Sequence, residues 1–334
     1  MRVWSRRSRP DRLRAVIADN GGWDGLGRNS WSDLAWVRER LAAGADPGST
    51  GRCSPPPLFA AAERGSADVV AELAGRVEDI DVEYGGRTAL WEAVHADRPD
   101  NARALVAAGA DPWRPMMAGW SPGRLSLASP TPDLFAPNSS VSLSTEESDA
   151  VAEARRLKEA LGKLWVEGLG LACVADFDVE ESAWRLGAEV VEDISAVQKD
   201  IEVYPPSTES SLAVGATDVP GGCVFAQPWG FAPTMPGVLA RLSVDTVCYG
   251  LYANPKSGNQ GSIYRDGEFV AGDLHPGGGP DDGDGPEEIL ASYLYQHNAV
   301  AYSCAFAGLQ LTDARAVNGA PDVWLRLPER DYWD

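Results

Sequence analysis

The hexapeptide Ala42-Ala43-Gly44-Ala45-Asp46-Pro47 recurs unchanged at Ala107 to Pro112, 65 residues further on. A duplication at fixed spacing constrains the fold more than composition does, because it calls for a unit that stacks on copies of itself. A worn copy lies between the two: Asp79-Ile80-Asp81-Val82 stands where the outer copies read Gly-Ala-Asp-Pro. The preceding stretches align as well. Pro56 to Leu73 matches Thr88 to Leu105, which sets Leu58 and Leu90 32 residues apart, and a third start follows at Ser121, 33 residues after Thr88. The unit is therefore about half the 65-residue spacing.

Elementary rules turn this unit into a pair of helices. Thr88 and Ser121 carry the hydroxyls that cap a first turn, while Pro56 has none. Leu58, Ala61 and Ala62 form a small inner stripe, and Val69, Val70 and Leu73 form a second-helix stripe. Gly44, Gly65 and Gly109 are expected to end helices in the left-handed conformation. Asp46 and Asp111 can bond the backbone of the turn, after which Pro47 and Pro112 force the chain to extend. One such hairpin cannot bury both faces, so the units must stack. Upstream, Trp31 to Pro47 predicts an outer helix with Leu34, Val37 and Leu41 on its apolar face and Ser32 or Asp33 as its cap. Arg9 to Gly22 is expected to supply the matching inner helix.

Period and pattern together resemble the ankyrin repeat over about residues 30–128, as three repeats plus caps. Five positions depart from that family's pattern. Pro56 replaces the capping Thr, Phe59 and Trp91 stand at the His position, and in the last repeat Gly123 replaces the core Leu and Arg124 the His. The resemblance implies an all-α solenoid whose inner helices and finger loops line a concave face that holds a protein partner. On that face it puts Trp113, Met116, Met117 and Trp120, in a finger loop, and Phe59 and Trp91, one repeat apart, as candidate partner-binding residues. Two plainer readings stand beside this one. The loop residues could fold over the solenoid end, and Phe59 and Trp91 could pack between repeats.

The remainder reads differently. Residues 1–130 are assigned to the array with its N-terminal cap, 131–165 to a linker and connecting helix, and 166–334 to an α+β domain with a mostly antiparallel sheet. The Ser- and Pro-rich stretch Ser126 to Asp149 connects; a helix then carries Val151, Ala154, Leu157, Leu161, Leu164 and Trp165 at helical spacing. Apolar runs at Leu171 to Phe177 and Cys223 to Gly230 predict strands, Asp178 caps a helix that ends at Gly187, and Pro236 starts another. Tyr264, then Arg265-Asp266-Gly267-Glu268, then Phe269 is a hairpin signal. One long helix from Pro286 to Cys304 and a final edge strand before Pro328 complete the expected domain. The stretches Cys173 to Glu189, Gly221 to Phe231, Val238 to Ser243 and the Tyr249 to Gly272 region are similar to an uncharacterised actinobacterial domain family, to which no activity attaches.

Charge is concentrated in this second part. The chain carries −20 overall. Residues 1–143 hold 17 Arg against 18 acidic side chains, whereas residues 144–334 hold 12 basic against 31 acidic. Such a surface repels phosphate backbones and attracts basic proteins, so the partner expected is a protein, with nucleic acid and membrane excluded. Only four of the 29 basic residues are Lys, which with the Ala and Gly content points to a GC-rich bacterial genome. Five cysteines without CxxC spacing, no signal-like apolar run after the basic N-terminus, and no apolar stretch long enough to span a bilayer predict a cytoplasmic chain.

Motifs for catalysis are sparse. Gly119-Trp120-Ser121-Pro122-Gly123 satisfies G-x-S-x-G, yet no strand leads into it and Ser121 falls on a helix-capping position. His95, His275 and His297 form no metal-ligand spacing, and the acidic stretch Pro280 to Glu288 lacks the offsets of a calcium loop. His297 is expected as a packed core or boundary histidine, and Asp273 with His275 is the nearest approach to an acid/base pair. No catalytic residue, metal or cofactor is assigned. The leading function is an interaction module or adaptor, in its narrower form an inhibitor or immunity-type protein of a basic partner. An enzyme whose site gathers distant residues of the second domain is the alternative.

Overall fold

The computed structural model describes residues 21–23, 30–49, 55–193, 195, 211–256, 258–281 and 283–333. The expected inner cap helix at Arg9 to Gly22 and Cys53 fall outside these residues, apart from Gly21 and Gly22. The chain divides into two compact units: residues 1–146 with 281–290, and residues 147–280 with 291–334.

The first unit is a stack of helical hairpins. Its helices are α1 (Leu34–Ala42), α2 (Pro57–Arg64), α3 (Ala67–Ala74), α4 (Ala89–His95), α5 (Pro99–Ala107) and α6 (Pro122–Ser126). Corresponding helices pack from one repeat to the next, α2 on α4, α3 on α5 and α4 on α6. The caps follow the sequence: Asp33, Thr88 and Ser121 each accept the N–H three residues on, from Trp36, Trp91 and Arg124, and Pro56 caps nothing. Ser66 adds an unforeseen cap on α3. Leu58, Ala61, Ala62, Val69, Val70 and Leu73 are all buried, and each of the larger ones contributes roughly 1.5–3 kcal/mol by leaving water.

The hexapeptides punctuate this stack. Gly44 and Gly109 take φ of 94° and 105°, Asp46 Oδ1 accepts the N–H of Gly48, and Asp111 Oδ1 accepts that of Trp113. In the worn middle copy Asp81 serves its neighbour instead, and its carboxylate accepts the N–H of Asp111 in the next copy. Gly65 is a correction. Its φ is −83° and its ψ −173°, so it is extended and not left-handed. It must be glycine for a different reason: a Cβ there would lie 2.6 Å from the carbonyls of Ala61 and Trp31. That bare carbonyl turn accepts Arg98 Nη2 at 2.7 Å, while buried Asn101 Nδ2 donates to Ala62 and Gly65. The second repeat is thus hydrogen-bonded to the first through side chains that periodicity did not single out.

One buried carboxylate opposes the stability of this stack. Glu92 on α4 is 20% exposed, with Arg87 Nε 3.4 Å away. Burial pushes its carboxyl above the ordinary range, and Arg87 only partly offsets this. The native state therefore holds the proton more tightly than the unfolded chain does. As pH rises from the ordinary carboxylate range through the raised native value, the unfolded chain ionises first and stability falls. Glu92→Gln is expected to be more stable than the parent near pH 7, by under about 1 kcal/mol. Urea unfolding repeated near pH 3 should show that advantage gone.

The second unit is built on an eight-stranded antiparallel sheet. Its strands are β1 (Leu169–Ala175), β2 (Glu189–Val190), β3 (Ala213–Val219), β4 (Gly222–Gln227), β5 (Val247–Ala253), β6 (Gln260–Arg265), β7 (Glu268–Asp273) and β8 (Val323–Arg326), in the order β2-β8-β3-β4-β1-β5-β6-β7. Among the described residues five helices accompany it: α7 (Thr145–Leu161), α8 (Val179–Leu186), α9 (Pro236–Leu242), α11 (Ala299–Phe306) and α12 (Arg315–Asn318). Helix α10 (Pro286–Leu294) begins in the first unit and ends in the second.

Both faces of β1 are covered, which is why it reads as an uninterrupted apolar run. Ala172 and Val174 join a core with Leu186 of α8 and Val238, Leu239 and Leu242 of α9. Cys173 points the other way, its Sγ 3.8 Å from that of Cys304 on α11. The four described cysteines are free and buried. Burial pushes the Cys223 thiol up to about 12 and Cys248 well above its ordinary value, so these thiols act as apolar filling.

Several expectations hold, and two do not. Asp178 caps α8, Gly187 ends it at φ 65°, and Asp266 and Gly267, at φ 51° and 83°, turn the β6–β7 hairpin. The terminal strand β8 lies between β2 and β3 and is not an edge; the edges are the two-residue β2 and β7. The long helix is two. His297 takes φ 60°, donates its N–H to Gly277, and is followed by Asn298, whose side chain caps α11 through the N–H of Ala301. Apolar spacing runs on across the break, which hid it. His297 is consequently exposed and is not a core or boundary histidine.

Candidate protein-interaction surface

The six residues singled out above separate by burial. Phe59, Trp91 and Trp120 are at most 2% exposed. Phe59 sits edge-on to Tyr84, so the aromatic row one repeat apart is packing within the array. Trp113, Met116 and Met117 are half-buried.

Trp113 has a specific packing task. A Cβ on Gly123 would lie 2.5 Å from the Trp113 ring, and the N–H of Gly123 donates to Pro112 at 2.6 Å. The indole therefore occupies the space that the missing core Leu of this repeat would fill. Phe135, from the stretch read as linker, closes on its edge at 6.4 Å.

Trp120 is the socket for a distant segment. Its Nε1 donates to the carbonyl of Pro286 at 2.9 Å, and the Arg124 guanidinium lies 4.2 Å from its ring. Pro286 belongs to residues 281–290, which join the first unit from far downstream. No local pattern in the sequence announces this pairing, because its two halves are 166 residues apart.

Between these anchors the loop holds Met116 and Met117 at the surface. Met116 N–H donates to Trp120 O, the N–H groups of Gly119 and Trp120 donate to Met116 and Met117, and Ala118 is held at φ 48°. Thr88 Oγ1 approaches Met116 Sδ at 3.7 Å. Adjacent finger loops are tied together by Arg114, which bonds Asp81 O and, at 2.7 Å, Glu83. Together with Gly86, Asp281 and Asp284 these loops enclose an open cleft of about 400 Å³. Its lining combines the apolar Pro115, Met116, Met117 and Ala118 with the acidic Glu83, Asp281 and Asp284. Asp284 is steadied by the N–H of Asp281 at 2.8 Å.

Elsewhere the chemically suggestive residues are engaged structurally. Ser121 of the G-x-S-x-G match is the cap of α6. Asp273 accepts the buried Tyr249 hydroxyl and the backbone N–H of His275. Burial and the neighbouring Asp273 push that phenol above its ordinary value. Among the described residues no helix is long and apolar enough to cross a membrane.

A family model described as ankyrin repeats (3 copies) matches residues 32–116. A search of curated proteins gives no match to this chain. The helical stack of the first unit is thus an ankyrin array, which supports a protein–protein interaction role in general.

Proposed function

We propose that this chain is a cytoplasmic protein-interaction module that grips its partner at the last finger loop of the ankyrin array. The observation that carries this reading is the pair Met116 and Met117. They are half-buried side chains on a loop fixed at both ends, and they line an open cleft. Pre-organised, polarisable side chains give contact area at little entropic cost. The narrower role is adaptor, inhibitor or immunity-type protein of a basic partner. Its support is the excess of 31 acidic over 12 basic residues in 144–334, which steers cations and repels nucleic acid. Four free buried cysteines suit a reducing compartment.

The test immobilises the full chain and captures protein from the lysate of its own source at low and high salt. A basic protein retained at low salt and released at high salt is the expected result. Replacing Met116 and Met117 by Ala should weaken its retention about tenfold, the effect of losing roughly 1.4 kcal/mol at an interface centre. Retention undiminished by that pair would move the surface elsewhere, and capture of nothing at either salt would sink the reading.

A further inference from the structure

We propose that the cleft at the finger loops receives one arginine or lysine side chain from an extended segment of a basic protein partner. This rests on the interaction reading above and gives it a site and a chemistry. A long cationic side chain has two parts, an apolar stem and a charged head, and each needs a different surface. The cleft offers both. Pro115, Met116 and Met117 supply apolar lining, and Glu83, Asp281 and Asp284 supply carboxylates, around one opening of about 400 Å³. That is at the lower end of the roughly 300–1,000 Å³ usual for ligand sites.

One of these carboxylates already binds a guanidinium. Arg114 of the same loop donates Nη2 to Glu83 at 2.7 Å and Nη1 to the Asp81 carbonyl, which satisfies Glu83. Asp281 and Asp284 have no such counter-ion among the described residues, and Asp284 is held in place by a backbone N–H. The acidic segment is itself seated by the Trp120 Nε1 bond to Pro286, so the two carboxylates are presented on an anchored turn. An anionic or purely apolar guest would leave them facing it without a partner, which is the charge argument for a cation. Methionine sulfur and methylene in the lining favour a side chain over a bare metal ion, whose ligand shell would need more oxygens than these carboxylates supply.

The experiment measures binding of fluorescently labelled hexaarginine to the full chain by anisotropy at low salt, with hexaglutamate as the sign control and calcium and magnesium as competitors. Hexaarginine is expected to bind and hexaglutamate not. Asp281→Asn with Asp284→Asn should weaken hexaarginine about fivefold, the scale of two partly exposed ion pairs. Glu180→Gln with Glu189→Gln, which removes the same charge from exposed positions of the second unit, should change it less than about twofold. Equal loss in both double variants would show that only the overall field matters and overturn the site. Displacement by millimolar calcium or magnesium would make it a metal site and overturn it too. The chain's own N-terminus holds Arg2, Arg6, Arg7, Arg9, Arg12 and Arg14. If replacing these six by Gln strengthens hexaarginine binding at the cleft, the occupant is this segment and not a partner. A captured partner that depends on Met116 and Met117, with hexaarginine indifferent to Asp281 and Asp284, would refute the cleft and leave the interaction role standing.

Discussion

Trp120→Ala should be the most destabilising single change in the first unit, at about 3–5 kcal/mol. The side chain is fully buried, so truncation leaves a cavity the size of an indole at the end of the array. It also removes the donor to Pro286 O and the ring beneath Arg124. Trp120→Phe separates these contributions. It keeps most of the volume and loses the hydrogen bond, for an expected cost of about 1–2 kcal/mol. Hydrogen exchange on the full chain distinguishes this local role from general loosening. The amides of α6 and of residues 286–290 should lose protection together, while those of β1 and β4 keep theirs. Unchanged protection at 286–290 in the Ala variant would mean that Trp120 does not hold the segment.

Trp113→Ala is expected to cost about 2–3 kcal/mol, and Gly123→Leu a similar amount, yet the double variant should cost less than the two together. The reason is that the two positions share one space. The indole lies where a side chain on residue 123 would begin, 2.5 Å from an added Cβ. Removing the ring opens a hole that the leucine introduced by Gly123→Leu can fill from its own helix, as in an ordinary repeat. Contacting positions couple by roughly 0.5–3 kcal/mol, and about 1–2 kcal/mol of rescue is expected. Complete rescue is not, because the Pro112 carbonyl also lies 2.8 Å from the added Cβ and is backbone. Urea unfolding of the four chains closes the cycle. Strict additivity would mean that Trp113 is a surface residue free to serve a partner.

These two tryptophans mark the boundary between what was legible in the chain and what was not. The repeat unit was legible because its determinants are local. A capping hydroxyl at Thr88 or Ser121, a left-handed Gly44 or Gly109 and an apolar stripe at helical spacing each act within a few residues. The alternating strands and the Asp266-Gly267 turn were legible for the same reason. Gly65 follows a helix as a left-handed stop would, yet its backbone is extended. Its requirement comes from the Trp31 and Ala61 carbonyls, and the former lies ahead of α1, 34 residues upstream of Gly65. The break at His297 leaves no gap in the apolar spacing, and its one local signal is the capping Asn298 in front of Ala299 to Phe306. The oddities at 113, 120 and 123 were visible as departures from a pattern, but their meaning was not. A tryptophan in a loop reads as a binding side chain until the space it fills is known.

By itself the sequence determined the period, the hairpin unit, the helix starts at Asp33, Thr88, Ser121 and Asp178, and the acidic character of the second part. All of these depend on interactions within a turn or on composition. The tertiary structure alone decided that Trp113 stands in for a missing leucine and that Trp120 receives Pro286 from 166 residues downstream. It also decided that Asp281 and Asp284 line one cleft with the methionines of a finger loop. Contacts between residues distant in the chain leave no spacing to read, since closing a long loop costs only slowly increasing entropy and can be met by almost any intervening sequence.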